Sequence, residues 1–565
     1  MPYRWGLCRV RRLSLAVGPP RPASPTSASQ ARAGSQSGCD TPRTKICAWP
    51  SAQTQNQGLA RRVDRDYGAE HHTEEGDSPV FRNTTPRYEI LSEDALATLD
   101  RGWRRLMTEV GVQFRDQRAL DLFAAAGQKV AEDVVFLDPD FVLEQVAKAP
   151  SEFDMQARNP AHNVTIGGDH MVFAGAYGAP FVREGAVRRD ATMGDYRNFL
   201  KLAQQFPTLD SAGGVIVEPN DVPLDSRHLD MIYALQTLTD KIYMGSVISG
   251  ANAADSIAMS SILFGGGQGA QAGRESIEKT PVMLNIISCN SPLRWDDRML
   301  DALFEYAQAA QPVVLTPFLL MGAMSPVTIP AALVQQVVEA LSGVALTQLI
   351  RPGAPVVFGS FLSSIDMRTG APTFGTPESV IGLFATGQIA RHFSLPFRTG
   401  GTLATSQVTD VQAGYEAMMT MMPTFLAGTN FVMHTAGWLE AGLVTSYEKF
   451  IVDMEIQQML EVAFTPMDID EASMAFDAHD EVRHGGHFLG AAHTLERFRT
   501  CFYMPMLSSS DNFERWTRLG GLDAAERAST IYQQKLEEYQ EPPLDPAIRE
   551  ELQEYVVRRR RELGD

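Results

Sequence analysis

The chain has 565 residues, 44% hydrophobic and 21% charged, with five cysteines in no CxxC pair and no apolar run of the roughly 18 residues that a bilayer crossing needs. Residues 1–63 carry ten Lys and Arg against one acid, a net +9, so the formal total of −19 leaves −28 for the remaining residues. This balance predicts a cytoplasmic globular protein, excludes a disulfide scaffold, a membrane segment and a nucleic-acid partner, and favours a cationic ligand.

The first predicted segments are a tail and a cap. Residues 1–76 are rich in Arg, Ser and Pro, which predicts disorder and is typical either of an organellar transit peptide or of a mistaken translation start; both interpretations stay open. Residues 77–170 are predicted to form an α-rich cap. Its helices are expected from an N-cap at Ser92 to residue 111, then over 118–126 and 138–148, and a hairpin over 155–172 with its turn at 167–169.

Residues 171–465 are predicted to form the main domain, because a strand-like run and a helix-like run alternate there eight times. The runs are nearly continuous in apolar residues, which is typical of parallel strands covered on both faces. The pattern predicts a (β/α)8 TIM barrel, and 466–565 a helical C-terminal extension. An open doubly wound sheet is the alternative, disfavoured because no Gly-rich phosphate fingerprint follows a strand. The predicted strands are 171–182, 209–219, 241–249, 280–291, 312–322, 355–366, 396–407 and 430–442. The predicted helices include 195–206, 226–238, 297–310, 329–350, 377–393 and 410–426.

A barrel of this kind carries its chemistry at the carboxyl ends of its strands. Aromatic and acidic residues dominate there, and rings hold a quaternary ammonium by cation–π attraction. Asp366 is a catalytic candidate or a cap of the turn with Arg368, and His434 is catalytic or a core residue. For each aromatic residue the alternative is core packing. The candidates are Asp366, His434 and Glu440 for catalysis, and Tyr177, Gln407, Gln412, Tyr415 and Trp438 for substrate binding.

Three histidines suggest a metal site only weakly. His484, His487 and His493 have the spacing H-x2-H-x5-H, but no cysteine or carboxylate cluster accompanies them, so a turn shaped by adjacent glycines is favoured. No P-loop, GxSxG or HExxH occurs. Two alternatives therefore stay open beside the main hypothesis below. One is a metal-dependent barrel hydrolase or lyase, and the other is a protein that binds cationic osmolytes without turnover.

Several long stretches resemble the trimethylamine methyltransferase family over about residues 88–540. They are LDSRHLDMIYALQTLTDKIYMG, FGTPESVIGLFATGQIARHFSLPFRTGG, DVQAGYEAMMTMMPTFLAGTNFVMHTAGWLEAGL and GGHFLGAAHT. The resemblance implies a (β/α)8 barrel that moves a methyl group from a methylated amine to the cob(I)alamin of a separate corrinoid protein. It also implies a homo-oligomer and no tightly bound cofactor in this chain.

One departure from the family pattern narrows the expected substrate. Archaeal-type members carry pyrrolysine after the seventh strand, whereas residues 405–407 are Thr, Ser and Gln here. The chain therefore resembles the glycine betaine:corrinoid methyltransferases, which use quaternary amines. The resemblance implies in-line attack by Co(I) on an N-methyl group, with a neutral tertiary amine leaving and no general acid needed. A carboxylate on the substrate would need a donor, for which His434, Gln407, Gln412 and Arg398 are the candidates.

Overall fold

The computed structural model describes residues 80–564, so the predicted tail lies outside the described residues. The fold is α/β around one curved sheet of parallel strands. Each strand pairs with the next along the chain from 243 to 433, and the last pairs with the first. The strands are His170–Phe173, Tyr243–Met244, Met283–Cys289, Val313–Met321, Val356–Gly359, Phe397–Gly400 and Phe431–Met433.

The predicted second strand is present in the described chain only as isolated bridges. Ser211 forms parallel bridges to Ala174 on one side and to Ile242 on the other. Two glycines follow Ser211, and Gly213 has a φ of 80°. A residue with positive φ does not fit an extended strand, and glycine offers no side chain to pack against the sheet. The ladder is therefore broken at this point.

The predicted helices are found between the strands with small shifts at their ends. Side chains of Ser249, Asp296, Thr376 and Asp410 cap four of these helices at their first turns. The helices Gly250–Leu263 and Ala270–Lys279, which lie between the predicted strands 241–249 and 280–291, are not among the helices predicted from the sequence. The helices are Met193–Gln205, Arg227–Leu238, Gly250–Leu263, Ala270–Lys279, Asp297–Gln308, Ile329–Ile350, Pro377–His392 and Val411–Ala427.

The helix Ile329–Ile350 is the one described helix that is long and apolar enough to cross a bilayer by length and composition. Of its most apolar stretch, 78% is buried inside the protein. It packs on the strand Val313–Met321 on one side and on the helices Glu93–Glu109 and Pro139–Val146 on the other. A core helix covered on two sides needs the same composition as a membrane helix, so this coverage accounts for its apolar character.

The section before the sheet contains three helices, as predicted, together with a small sheet that the sequence did not predict. Ser92 caps its first helix as predicted, accepting a hydrogen bond from the Ala95 amide. A small sheet lies between its helices, and the predicted turn near residue 168 is present, although strand Val164–Gly167 pairs with Glu152–Met155. The elements are Glu93–Glu109, Gln117–Ala125 and Pro139–Val146 as helices, and Val112–Phe114, Lys129–Ala131, Val134–Phe136 and Arg294–Trp295 as strands.

The hairpin of this section closes the amino-terminal end of the sheet interior. Its residues Met155 and Ile166 are buried against inward-facing strand residues, which include Leu284 and Val314. Further strands pair with this sheet or form a second sheet of four strands, and the described chain ends in helices. In the predicted helical extension the first helix begins only at Phe476, because the side chains of Asp470 and Ser473 bond each other's backbone amides in a turn. These strands are Phe81–Arg82, Phe181–Glu184, Val187–Asp190, Phe361–Ile365, Pro372–Thr373, Trp438–Leu439 and Val444–Ser446, and the helices are Tyr447–Phe464, Phe476–Val482, Ala492–Arg497, Phe513–Arg518, Ala524–Glu538 and Pro546–Leu563.

Candidate active site

Five aromatic rings meet towards the carboxyl ends of the parallel strands. The Phe361 ring is at the centre, with its centroid 5.1 Å from that of Phe318, 5.2 Å from Phe374, 5.6 Å from His434 and 6.1 Å from Trp438. The Trp438 ring also lies 4.8 Å from Phe374 and 5.4 Å from His434. We call these five residues the ring cluster. A small cavity of about 30 Å³ adjoins two of its members, Phe361 and Phe374.

Backbone pairing places these rings. Phe318 and Phe361 are register partners in neighbouring parallel strands, so their side chains point the same way. His434 directly follows the strand Phe431–Met433 and has a φ of 61°, a left-handed conformation that is uncommon for a residue with a side chain. The amide of Thr402 donates to its carbonyl at 3.0 Å. Strain held in this way is typical of functional positions.

Two nitrogen atoms of the ring cluster are buried without a hydrogen-bond partner among the described residues: Nδ1 of His434 and Nε1 of Trp438. Burial, followed by the nearby charge of Arg398, holds the pKa of His434 well below its usual value, so the imidazole is neutral at pH 7. A buried polar atom without a partner costs free energy. Both atoms are therefore available to a ligand, and the neutral rings can lie against a cation without repulsion.

Arg398 is the charged group next to the ring cluster. Its side chain is 2% exposed, and its Cζ lies 5.5 Å from the centroid of Phe361. Nη1 donates to the carbonyl of Ser360 at 3.0 Å and Nη2 lies 3.2 Å from the sulfur of Met433, whereas Nε has no partner among the described residues. Burial lowers the pKa of Arg398 to about 9, and no carboxylate in the described chain opposes that shift. The guanidinium is therefore a buried cation without a counter-ion.

A buried ion pair behind the site supports two of its loops. Lys449 and Asp453 lie one turn apart on the helix Tyr447–Phe464, pair with each other and are fully buried. Nζ of Lys449 also donates to the carbonyl of Thr402 at 3.4 Å, and Asp453 accepts from the amide of Gly437 at 2.8 Å. Thr402 in turn bonds the carbonyl of His434, and Gly437 precedes Trp438. The pair therefore holds the backbone that presents these two rings.

The comparisons with known proteins decide the family. The family model described as trimethylamine methyltransferase (MTTB) matches residues 58–564. The chain belongs to the trimethylamine methyltransferase family. The resemblance found in the sequence is thereby confirmed.

Family members of known name differ in their amines. A glycine betaine methyltransferase of Desulfitobacterium hafniense is 40% identical over 85% of this chain and 99% of its own length. A proline betaine:corrinoid methyltransferase of Eubacterium limosum is 29% identical over 80% and 94%, and trimethylamine methyltransferase MttB of Desulfitobacterium hafniense is 26% identical over 84% and 94%. The solved structure of a hydroxylamine MtmB complex covers 81% of this chain and 90% of its own at 10% identity and a TM-score of 0.48, too low to carry an argument.

In this family member the predicted catalytic acids have partners of their own. Asp366 lies in an exposed turn, where it accepts from the amide and the guanidinium of Arg368, as the capping alternative predicted. The arrangement lowers the pKa of Asp366 through hydrogen bonds from the Arg368 side chain and amide. Glu440 forms ion pairs with Arg183 at 3.5 Å and Arg188 at 3.0 Å. Each acid is thus neutralised locally.

The predicted binding residues divide into two groups. Trp438 belongs to the ring cluster, and the half-buried Tyr177 packs on the core inside the sheet, where burial and the charge of Glu218 raise its pKa. The other three lie on or beside the helix Val411–Ala427. Tyr415 is 59% exposed, Gln407 is exposed and donates to the Thr405 carbonyl at 3.3 Å, and Gln412 donates to Glu416 at 2.9 Å. The structure does not bring these three into the ring cluster.

The three histidines of the weak metal hypothesis lie beyond the sheet, with His484 and His487 exposed and His493 partly buried. Within residues 80–564 no group of three or more His, Cys, Asp or Glu side chains is arranged to hold a metal ion.

Three rings of the cluster were not among the sequence candidates: Phe318, Phe361 and Phe374. Phe318 and Phe361 lie in apolar runs that fit a buried strand equally well, and Phe374 lies in the loop between the predicted strand 355–366 and the predicted helix 377–393, so residue type alone does not distinguish them from core. The position of Phe361 does point to the site. It follows Phe358-Gly-Ser in the predicted sixth strand and so begins the carboxyl end of that strand, where chemistry is expected.

Proposed function

We propose that this protein transfers a methyl group from a quaternary amine of the glycine betaine type to the corrinoid of a partner protein. The ring cluster is the observation that carries the proposal. Its five rings place aromatic faces and edges at the carboxyl ends of the strands, where a trimethylammonium group can bind against them, and a desolvated cation–π contact contributes about 2 kcal/mol. The family membership and the two betaine-specific relatives support the same reaction class.

We also propose that the curved sheet is a closed (β/α)8 barrel with residues 77–170 as its cap and 466–565 as its extension. The bridges of Ser211 to both neighbouring strands support closure, because they connect the first strand to the third. A closed barrel gathers all its strand ends at one mouth. The location of the ring cluster at those ends then makes the mouth the place where a substrate enters.

In the proposed mechanism the residues of this chain hold and orient the substrate. The rings hold the ammonium group, the buried mouth excludes water, and one N-methyl group is left facing outwards. The reduced corrinoid supplies the nucleophile that accepts this methyl group, and the tertiary amine leaves neutral. No general acid is needed, in agreement with the pairing of Asp366 and Glu440 to arginines.

Exposed apolar side chains around the mouth support docking of a protein. They occur on the loops that follow several strands, and the side chains of Val327 and Met367 both lie beside Gly322. A rim of apolar residues on loops is typical of a protein interface. It favours an enzyme with a macromolecular partner over a protein that only binds osmolytes. The rim residues are Leu224, Ile248, Val327, Met367, Val408 and Leu443.

We propose further that the protein is a homo-oligomer. Several large apolar side chains in the segment after residue 465 are 71–82% exposed to solvent. They include Met467, Ile469, Leu489 and Phe513. A monomer rarely leaves so many on one segment, so a second copy is the natural cover. Light scattering on a size-exclusion column should give a mass that is a multiple of 62.0 kDa. A monomer across the accessible concentration range would contradict this.

The function is tested by methyl transfer to free cob(I)alamin, followed by its absorbance change. Glycine betaine, proline betaine, carnitine, choline, dimethylsulfoniopropionate and trimethylamine form the panel, with a corrinoid protein as the acceptor in a second series. We expect transfer from a quaternary donor and none from trimethylamine. Binding without transfer in both series would indicate a binding protein. Activity only on another substrate class, abolished by a chelator, would indicate the metal-dependent alternative.

A further inference from the structure

We propose that Arg398 binds the carboxylate of the substrate, so that the site selects zwitterionic betaines over quaternary amines that lack a carboxylate. The inference rests on the proposed function, because it assigns the second end of a substrate whose ammonium end lies in the ring cluster. It names a specificity-determining residue that the acidic composition of the chain would not suggest.

The first argument is the cost of the buried charge. Arg398 is 2% exposed, and within the described chain its guanidinium contacts the Ser360 carbonyl, the Met433 sulfur and the Phe361 ring. An unpaired buried cation costs several kcal/mol, which is why buried charges in proteins are nearly always paired. The Nε–H is also without an acceptor in the described chain. A carboxylate from a ligand would satisfy both the charge and the donor.

The second argument is the distance between the two ends of the site. Phe361 is the central ring of the cluster, and the same ring lies 5.5 Å from the Arg398 Cζ. In glycine betaine a single methylene separates the ammonium nitrogen from the carboxylate carbon. A ligand of that length can therefore place its cation on the rings and its anion on the guanidinium. A ligand with only the cation would meet the unscreened charge of Arg398 at short range.

The third argument is that the other candidate donors are occupied or displaced. Gln407 is exposed and bonds the Thr405 carbonyl, and Gln412 bonds Glu416. His434 is inside the cluster and neutral, so its Nδ1 can add one hydrogen bond but no charge. An arginine presents a planar fork that matches a carboxylate, and such charge-assisted bonds are about twice as strong as neutral ones.

The test compares ligands that differ only in the carboxylate. Titration calorimetry on the full chain would measure glycine betaine and its methyl ester against the wild type, Arg398→Gln, Arg398→Lys and the control Arg368→Gln, which removes an exposed arginine of a mouth loop. We expect Arg398→Gln to weaken glycine betaine at least about tenfold and the ester by less than about threefold. Arg398→Lys should fall between, and Arg368→Gln should match the wild type.

Equal weakening of both ligands by Arg398→Gln would overturn the proposal, because it would indicate a structural role. Circular dichroism and thermal melting check that each variant folds. If Arg398→Gln does not fold, the wild type decides the matter alone: it should bind glycine betaine at least about tenfold more tightly than the ester, and equal affinities would overturn the proposal. Failure of the proposed function is distinct, because it would appear as no methyl transfer from any quaternary donor.

Discussion

Replacing Phe361 by leucine tests the central ring of the site. Leucine keeps most of the buried volume and removes the π face. A cation–π contact contributes about 0.5 kcal/mol when exposed and about 2 kcal/mol when desolvated, and the ring cluster is largely buried. We therefore expect the Kd for glycine betaine to rise by roughly 10- to 30-fold, since about 1.4 kcal/mol corresponds to a factor of ten.

The assay is titration calorimetry with two ligands of the same shape. Glycine betaine carries the ammonium nitrogen, and 3,3-dimethylbutanoate replaces that nitrogen by carbon and keeps the carboxylate. The electrostatic part of the loss should appear with the first ligand only. As a control, Phe123→Leu alters another buried ring, which pairs with Phe114 at a centroid distance of 4.9 Å in the section before the sheet. It should lower stability and leave both affinities unchanged.

The reasoning would be refuted by any of three results. If Phe361→Leu weakens both ligands by the same factor, the ring contributes packing and no cation binding. If neither affinity changes while the protein remains folded, the ammonium group does not lie in the ring cluster. A loss of less than about twofold, near the exposed limit of the contact, would place the ammonium group in solvent.

Three further predictions concern the support, the rim and the acid stability of the protein. Asp453→Asn leaves Lys449 buried without its counter-ion, so it should lower the free energy of unfolding in urea by about 3–5 kcal/mol. An unchanged free energy of unfolding would show that the ion pair does not support the site. Met367→Glu should slow methyl transfer to a corrinoid protein about tenfold and leave transfer to free cob(I)alamin unchanged. The tenfold effect corresponds to a contribution of about 1.4 kcal/mol from one apolar interface residue to the binding of the partner. Equal slowing of both reactions would contradict docking at the rim. Burial raises the pKa of Asp195, but hydrogen bonds from Arg189 and its neighbours outweigh this and hold the pKa below 3.8. A lowered pKa stabilises the fold above pH 3.8 and loses that effect as the pH falls through the folded value, so the urea midpoints of wild type and Arg189→Gln should converge in acid. A constant difference from pH 7 to pH 2 would contradict this.

The order of strands and helices follows from the sequence, because the residues of each element show which of its faces are covered by other parts of the protein. A short apolar run such as 312–322, with its β-branched residues, is typical of a strand covered on both faces, and it forms the strand Val313–Met321. The predicted second strand forms only isolated bridges, because its pairing depends on two glycines and the apolar run 209–219 does not specify their conformation. Register and closure depend on neighbours far along the chain, which a local pattern does not contain.

Residues of the site could be predicted from the sequence only where they directly follow a predicted strand. His434 and Trp438 follow the last predicted strand and were both candidates, and they lie together in the ring cluster. Phe361 resembles core in sequence, so its role depended on the two strands that place it beside His434. Glu440 looked like an available acid, because its partner Arg183 is 257 residues away in sequence. Pairing over such a distance is set by the fold and has no local signature.

The pairing of the acids bears on why the proposed site holds its cation with rings. In the methyl transfer proposed above, the substrate nitrogen loses its positive charge as the methyl group departs. A carboxylate against that nitrogen would stabilise the charged ground state more than the transition state and would be left buried and unpaired in the product. A ring quadrupole holds the cation by only about 2 kcal/mol and remains satisfied when the charge has gone. The charge of Arg398 acts at the other end of the substrate, where the carboxylate keeps its charge throughout, so its contribution to binding does not oppose the reaction.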